Sequence, residues 1–464
     1  MRRRALLGLT GVLLAACTVG PDYKRPEVSL PPDYRGRDLS APAGTGSFGD
    51  LAWWTIFRDE TLQGLIRTAL AQNYDLQIAA ARILDARAQV VSVRSNQFPV
   101  IEGTAQAPFQ ATEGDRPPLF TLENSFLPQG GINLSFELDF WGRWRRATEA
   151  ARAELLATDE ARHVVLSDLI SAVAIAYFQL RTLDLDLEIA QRTVGVRRDS
   201  LRLVRLREEG GVVSLMDVYQ AETLLSGALR EIPDFERQIE QTENLISVLL
   251  GRSPGPITRG RTLDGQITLP SVPAGLPAAL LERRPDVRLA EQQLVAANAR
   301  IGVAKSEWFP RIFLLGSVGV AGGVQNGVSF GPMGFFGIGP TMSVPIFNMG
   351  RVQAGVDSAE ARTQEAVVRY QQTVQQALRD VSDALVEHRK RREARREQEN
   401  LVQVLRSATG LSNVRYDGGV TSYLEVLDNE RQLFSAELDL ARTQRDELLA
   451  VVRLYRALGG GWVQ

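Results

Sequence analysis

The 464-residue chain is poor in the residues that build chemistry: it has one cysteine, Cys17, two histidines and a formal net charge of -2. A single cysteine excludes intrachain disulfides and cysteine-built metal clusters. His163 and His388 lie far apart in helix-forming sequence without a metal-ligand spacing, so no metal site is expected and both read as surface or packing residues. The 53 basic and 55 acidic residues create no overall field that would gather nucleic acid, and no nucleic-acid partner is expected. A phosphate-binding G-x-x-x-x-G-K-[ST] loop is absent, so energy for any transport has to come from a partner. Catalytic signals are equally thin. Gly327-Val328-Ser329-Phe330-Gly331 matches the serine-hydrolase elbow G-x-S-x-G, but Pro332 and Gly334 follow and a strand begins where an elbow requires a helix. A glycine-rich extracellular hairpin fits those residues better, and the chain is not expected to be an enzyme.

No uninterrupted apolar run of 18 residues follows the N-terminus, so no further transmembrane helix is expected. The N-terminus itself has a basic start, Arg2-Arg3-Arg4, an apolar stretch from Ala5 to Ala16, and Leu14-Ala15-Ala16-Cys17 at its end. That stretch is too short to span a bilayer and reads as a targeting segment over residues 1–16. It resembles the lipobox of bacterial lipoprotein precursors, which implies cleavage before Cys17 and a covalent lipid there, S-diacylglycerol with N-palmitoyl. Two or more acyl chains anchor stably, at about 0.8 kcal/mol per buried methylene. Thr18 stands where an aspartate would commonly retain such lipoproteins at the inner membrane.

What the chain does have is itself, twice. Leu70 to Pro99 recurs without a gap 211 positions later as Leu281 to Pro310, with identities that include Asp75/Asp286, Phe98/Phe309 and Pro99/Pro310. Ser135 to Gly251 recurs 208 positions later as Ser343 to Gly459, keeping Gly142/Gly350, Arg143/Arg351, Gly211/Gly419, Val212/Val420 and Ser214/Ser422. Self-similarity at a near-constant offset means two copies of one structural unit. The resulting division is an extended segment over 17–57, a first repeat over 58–251, a Pro/Gly-rich linker over 252–275, a second repeat over 276–459 and a tail over 460–464.

Composition rich in Ala, Leu, Arg, Glu and Gln predicts long helices over Arg58–Gln97, Arg143–Arg207, Leu215–Leu250, Leu276–Trp308, Arg351–Tyr416 and Tyr423–Leu458. At about 1.5 Å per residue, Arg143–Arg207 reaches nearly 100 Å, which suggests coiled coil. The mixed-sign run Glu387 to Asn400 fits a solvated face of such a helix. Each repeat also carries two strands, at about 99–110 and 131–140 and again at about 311–321 and 335–347. In the second of these, Ile132, Leu134, Phe136, Leu138 and Phe140 alternate with polar or small residues. Strands of about ten residues, apolar on one face, suit a transmembrane barrel, with Trp141, Trp144, Trp308 and Phe309 flanking them as an interfacial belt. Four strands cannot close a barrel, so the chain has to oligomerise, with a dimer giving eight strands and a trimer twelve.

Cys-Thr-Val-Gly-Pro-Asp-Tyr-Lys-Arg-Pro-Glu-Val from Cys17, the segment from Trp53 to Leu76, the segment from Arg283 to Ile312 and the repeated Gly-Val-x-Ser all resemble outer-membrane efflux factors of the TolC/OprM type, NodT-like lipoproteins. The resemblance covers the whole mature chain. It implies an α+β membrane protein: a homotrimer with a 12-stranded β-barrel in the outer membrane of a Gram-negative bacterium, a long periplasmic α-helical barrel and a mixed equatorial collar. It further implies the exit duct of a tripartite efflux pump for drugs or other toxic small molecules, partnered by a periplasmic adaptor and an inner-membrane transporter of the resistance-nodulation-division class, with no cofactor. A type I protein-secretion duct shares this architecture, and a lipid-anchored periplasmic hydrolase is the rival from another class.

Within that architecture the helix pairs turn at Gly210-Gly211-Val212 and Gly418-Gly419-Val420, with Ser214 and Ser422 placed to cap the next helices. The resemblance makes these turns the adaptor-docking tip; turn chemistry alone would also account for the glycines. Glu425 and Asp428, spaced i, i+3, share a helix face. Threefold symmetry would turn them into two acidic rings that attract cations and raise some carboxyl pKa values by mutual repulsion, although a solvated acidic face has the same spacing. By resemblance Asp217 and Tyr416 join the gate contacts, and Thr421 stands where some members of the family place an arginine.

Overall fold

A computed structural model describes residues 18–36, 47–114, 121–266, 275, 277–325 and 328–462. Cys17, the targeting segment and Gly327 lie outside the described residues. The helices are α1 (Trp53–Ile56), α2 (Glu60–Gln72), α3 (Tyr74–Ser95), α4 (Arg143–Glu209), α5 (Leu215–Leu249), α6 (Leu280–Arg283), α7 (Pro285–Ser306), α8 (Arg351–Asp417) and α9 (Tyr423–Ala457). The strands are β1 (Val100–Gln106), β2 (Phe109–Gly114), β3 (Thr121–Phe126), β4 (Gln129–Glu137), β5 (Arg311–Gln325) and β6 (Val328–Ser343). The repeat is visible in the element lengths. Both α4 and α8 have 67 residues, and both α5 and α9 have 35.

Two of the expected long helices are broken. Arg58–Gln97 divides at Asn73, whose ψ of 134° is extended, and Leu276–Trp308 divides at Arg284, with ψ of 120°. Arg284 precedes Pro285, which disfavours the helical region for the residue before it. Asn73 has no such proline; instead its carboxamide oxygen accepts from Leu76 N at 3.1 Å and its Nδ2 donates to Leu249 O at 3.0 Å. Arg284 does the equivalent in the second repeat, with Nη1 donating to Ala457 O at 3.1 Å. Asn73 and Arg284 are repeat mates, as are Leu249 and Ala457. Different side chains therefore satisfy the same orphan carbonyl at the end of the repeat's last helix.

The expected first pair of strands is likewise interrupted. Pro108 separates β1 from β2 and Pro128 separates β3 from β4, because neither can donate to a ladder. Leu127 N still bonds Pro108 O at 3.1 Å, so the two halves form one broken hairpin. The last strand also begins earlier than expected, at Val328 rather than near 335. All six strands join one antiparallel sheet, β4 and β3 both pairing β5, with β1 and β2 along one side and β6 on the other. Among the described residues, neither the outer side of β1 and β2 nor that of β6 has a partner.

The chain divides into two compact units. The first combines the chain up to Glu27 with Arg82–Asp159 and Leu289–Tyr370, and holds the sheet. There the segment after Cys17 is pinned rather than loose. Val19 N bonds Trp141 O at 3.0 Å, Arg146 bonds Asp22 at 2.7 Å, and Arg25 makes two 2.7 Å bonds to Glu291.

The second unit combines Val28–Ala81, Glu160–Arg288 and Gln371–Gln464, and holds the core. Tyr177, Phe178, Leu62, Ile66, Ile170, Ile246 and Leu454 are buried there. Of the described helices, α4 alone has a window long and apolar enough to cross a membrane, and most of that window is buried. Residues 252–266, expected as an extended linker, are tied down by specific bonds. Gly260 N and Arg261 N bond Tyr177 Oη and Asp59 Oδ2 at 2.9 Å each, and Arg259 pairs with Asp184 and Glu243.

Candidate functional site

The two helix-pair turns repeat each other bond for bond. At the first, Val212 N donates to Arg207 O at 2.8 Å and Gly211 takes φ of 70°; at the second, Val420 N donates to Arg415 O at 2.9 Å and Gly419 takes φ of 70°. This is the Schellman ending, and it requires a residue with no penalty at positive φ. A Cβ on Gly211 or Gly419 would meet nothing within 4 Å, so conformation and not crowding selects glycine. Val212 and Val420 are 74% and 72% exposed. They are flanked on α5 by exposed Leu215 and Met216 and on α9 by exposed Leu424.

The carboxylates behind the turns have diverged. Asp217 closes a capping box: its Oδ2 accepts from Ser214 N at 3.0 Å and Ser214 Oγ at 2.8 Å. Glu425, its repeat mate, faces Arg415 at 3.7 Å and accepts from the Thr421 hydroxyl. Thr421 is thus a hydrogen-bond donor to the Glu425 carboxylate. Asp428 bonds Arg431 at 2.7 Å and Gln432 at 2.5 Å. Those bonds, Arg431 first, hold its carboxyl below the usual range.

Tyr416 lies in a buried cluster with Tyr423, Leu201, Val204, Val218, Ala221, Val426 and Leu427, which joins α4, α5, α8 and α9 just inside the turns. Its ring is 5.1 Å from that of Tyr423 and carries the Arg207 guanidinium 4.5 Å above it; Arg207 also pairs with Asp417 at 3.0 Å. Burial pushes the Tyr423 phenol upward. Behind the cluster, Arg197 bonds Leu224 O at 2.6 Å and packs over Phe434, while burial raises the nearby Glu430 carboxyl and Arg197 lowers it in part. The structure therefore gathers Tyr416 with Arg207, Tyr423 and Arg197, none of which stands in a motif of its own. Their one signal was positional: Arg207 and Arg415 occupy the same place in the two repeats, and both carry contacts to α8 or α9 acids.

The remaining candidates separate from this region. Ser329 is in β6, paired with Val324, in strand context on both sides. His163 bonds Glu160 at 3.2 Å and packs on Trp462; burial lowers the pKa of His388. Among the described residues, no group of three or more His, Cys, Asp or Glu is placed to hold a metal ion.

Comparison with known proteins agrees across the length of the chain. The profile of the outer membrane efflux protein family matches residues 65–252 and 276–460, once per repeat. The solvent efflux pump outer membrane protein SrpC of Pseudomonas putida is 35% identical over all of this chain and 99% of its own. The cation efflux system protein CusC of Escherichia coli is 33% identical, over 97% of each chain. The open-state crystal structure of the Neisseria gonorrhoeae MtrE outer membrane channel superposes with a TM-score of 0.84 at 31% identity, covering 96% of this chain and 99% of that one.

Proposed function

Since the chain belongs to the outer membrane efflux protein family, we propose that it is the exit duct of a tripartite pump, passing toxic small molecules such as solvents or drugs outward without transforming them. The observation that carries this reading is the sheet. It offers four antiparallel staves that carry exposed apolar side chains and, among the described residues, two unpaired edges, which lipid does not tolerate. Three copies close it as a 12-stranded barrel, and the paired 67-residue and 35-residue helices line a conduit below. Cys17, acylated with diacylglycerol and palmitate, anchors each chain in the outer membrane beside the pinned segment that starts at Thr18.

The exposed turns at Gly210-Gly211-Val212 and Gly418-Gly419-Val420 dock a periplasmic adaptor, which connects the duct to an inner-membrane transporter of the resistance-nodulation-division class. In the closed duct, Arg207 and Asp417 hold the two helix pairs of one protomer together over the Tyr416–Tyr423 cluster, and opening splays them apart. Glu425 and Asp428 then line the passage, with Asp217 fixing the start of α5. Deleting the gene should sensitise cells to solvents and drugs, and the wild-type protein should restore resistance. Restoration by a variant lacking the tip valines and glycines would overturn the docking role.

A further inference from the structure

The duplication fixes more than the number of strands: we infer that it fixes the strand register and the turn contact between neighbouring copies of this chain. The inference rests on the trimeric-barrel reading and specifies its interface. Within a repeat the offsets preserve register. The pair Val100–Ser135 of β1 and β4, moved by 211 and 208 positions, becomes Arg311–Ser343, which is the register found between β5 and β6. The contact between repeats, β4 on β5, has its register recorded as well, for example Ser135–Leu315. Moving its first member forward by 208 and its second back by 211 gives the missing contact, β6 of one chain on β1 of the partner subunit, with Ser343 opposite the partner subunit's Thr104.

The chemistry of that register is consistent at every position. Ser343 meets Thr104 and Thr341 meets Gln106 on one face; Met342 meets Ala105, Val344 meets Gly103 and Ile346 meets Ile101 on the other. A one-residue slip would put each polar side chain on the apolar face. Leu138 N bonds Ile312 O at 2.8 Å, so that pair is hydrogen-bonded and alternate pairs are not. Carried over, Ile346–Ile101 exchanges bonds, while Pro345, which has no N–H to give, falls opposite Glu102 at a position that requires none. Pro340 is the one donor lost, opposite Ala107 beside Pro108, where β1 has already ended.

The turn after each repeat's last strand gives independent support. In the first repeat Trp141 stacks on Phe309 at 4.5 Å and donates to Pro310 O at 2.9 Å, and Thr18 lies against Gly142. In the second, Ile346, Phe347 and Met349 are 96%, 82% and 85% exposed, and a Cβ on Gly350 would meet nothing within 4 Å. Trp141 and Met349 are repeat mates, and so are Phe309-Pro310 and Phe98-Pro99. The bare turn therefore seats Met349 on Phe98 and Pro99 of the partner subunit, where Phe98 is itself exposed.

The full-length protein with Thr104→Cys and Ser343→Cys, oxidised with copper–phenanthroline in its own membranes, should convert for the most part to reducible covalent trimers. Opposed non-hydrogen-bonded residues lie about 4.5 Å apart at Cα, within disulfide reach. Thr104→Cys with Thr341→Cys, a diagonal pair, should remain uncrosslinked, as should each single cysteine. Phe98→Cys with Met349→Cys tests the turn contact separately. Crosslinking of the 104/341 pair instead, or of neither strand pair, in a protein whose native mass is three chains overturns the register and leaves the trimer standing. A native mass other than three chains overturns both.

Discussion

The two repeats have long helices of the same lengths, yet the turn into the first long helix is covered and the turn into the second is bare. Gly142 takes φ of 78° against Thr18, and Gly350 takes φ of 79° against nothing. The backbone is thus a property of the repeat, whereas the surroundings are a property of its place in the chain. On the proposed trimer, what the first copy finds within its own protomer the second finds in a neighbouring one. The same contrast runs to the opposite end, where Asp217 is consumed in a cap and Glu425, its mate, faces Arg415 and Thr421.

The largest break in the comparison is Asp186, whose repeat mate is Ala394. Asp186 is buried on α4 with Oδ1 unpartnered, and burial raises its pKa to about 7, against lowering by Arg442 and Arg445 and a further rise from Asp439, all on α9. The folded state therefore holds this proton more tightly than the unfolded chain. Its contribution is fully present below the ordinary carboxylate range and is lost as pH rises toward 7, an effect on the order of a few kcal/mol. Thermal unfolding of Asp186→Asn should be flatter between pH 4 and 7, with the variant more stable than wild type at pH 8; a variant equally pH-dependent would refute the assignment.

Next in size is the pair of turns. Gly142→Ala and Gly350→Ala share a positive-φ penalty of about 1–2 kcal/mol. Only Gly142→Ala also drives a Cβ to 2.7 Å from Thr18 Cγ2, so it should unfold at the lower temperature. At the tip, Asp217→Ala should cost about 1 kcal/mol as a lost cap, measured by denaturant titration. Arg207→Ala, which removes both the Tyr416 stacking and the Asp417 pair, should raise single-channel conductance in planar bilayers with little change in the unfolding midpoint. The smallest effect expected is on ion preference: Glu425→Ala with Asp428→Ala should reduce cation selectivity, and an unchanged reversal potential would remove both from the passage.

Much of this was legible in the sequence for a definite reason. Element length, the glycine turns and the alternating strand Ile132–Phe140 depend on neighbours a few residues away, and the offsets of 211 and 208 exposed the duplication without any structure. The break at Asn73 was not legible, since it is set by a carbonyl 176 residues distant, whereas Pro285 after Arg284 could have been read as a break. Pro108 and Pro128 could have been read as interruptions, because proline cannot serve a ladder interior. At the site, the turns and the acids were visible as motifs. The Arg207–Tyr416 contact was not, since it joins two helices from different repeats, and neither was the downward shift at Asp428, which depends on Arg431 rather than on the neighbouring acid.

The account's central claim, that six similar units from three chains alternate around one pore, is tested most directly by the native mass of the full-length protein extracted from its membrane in detergent. The account predicts three chains in a single species. A stable species of one or two chains would contradict it.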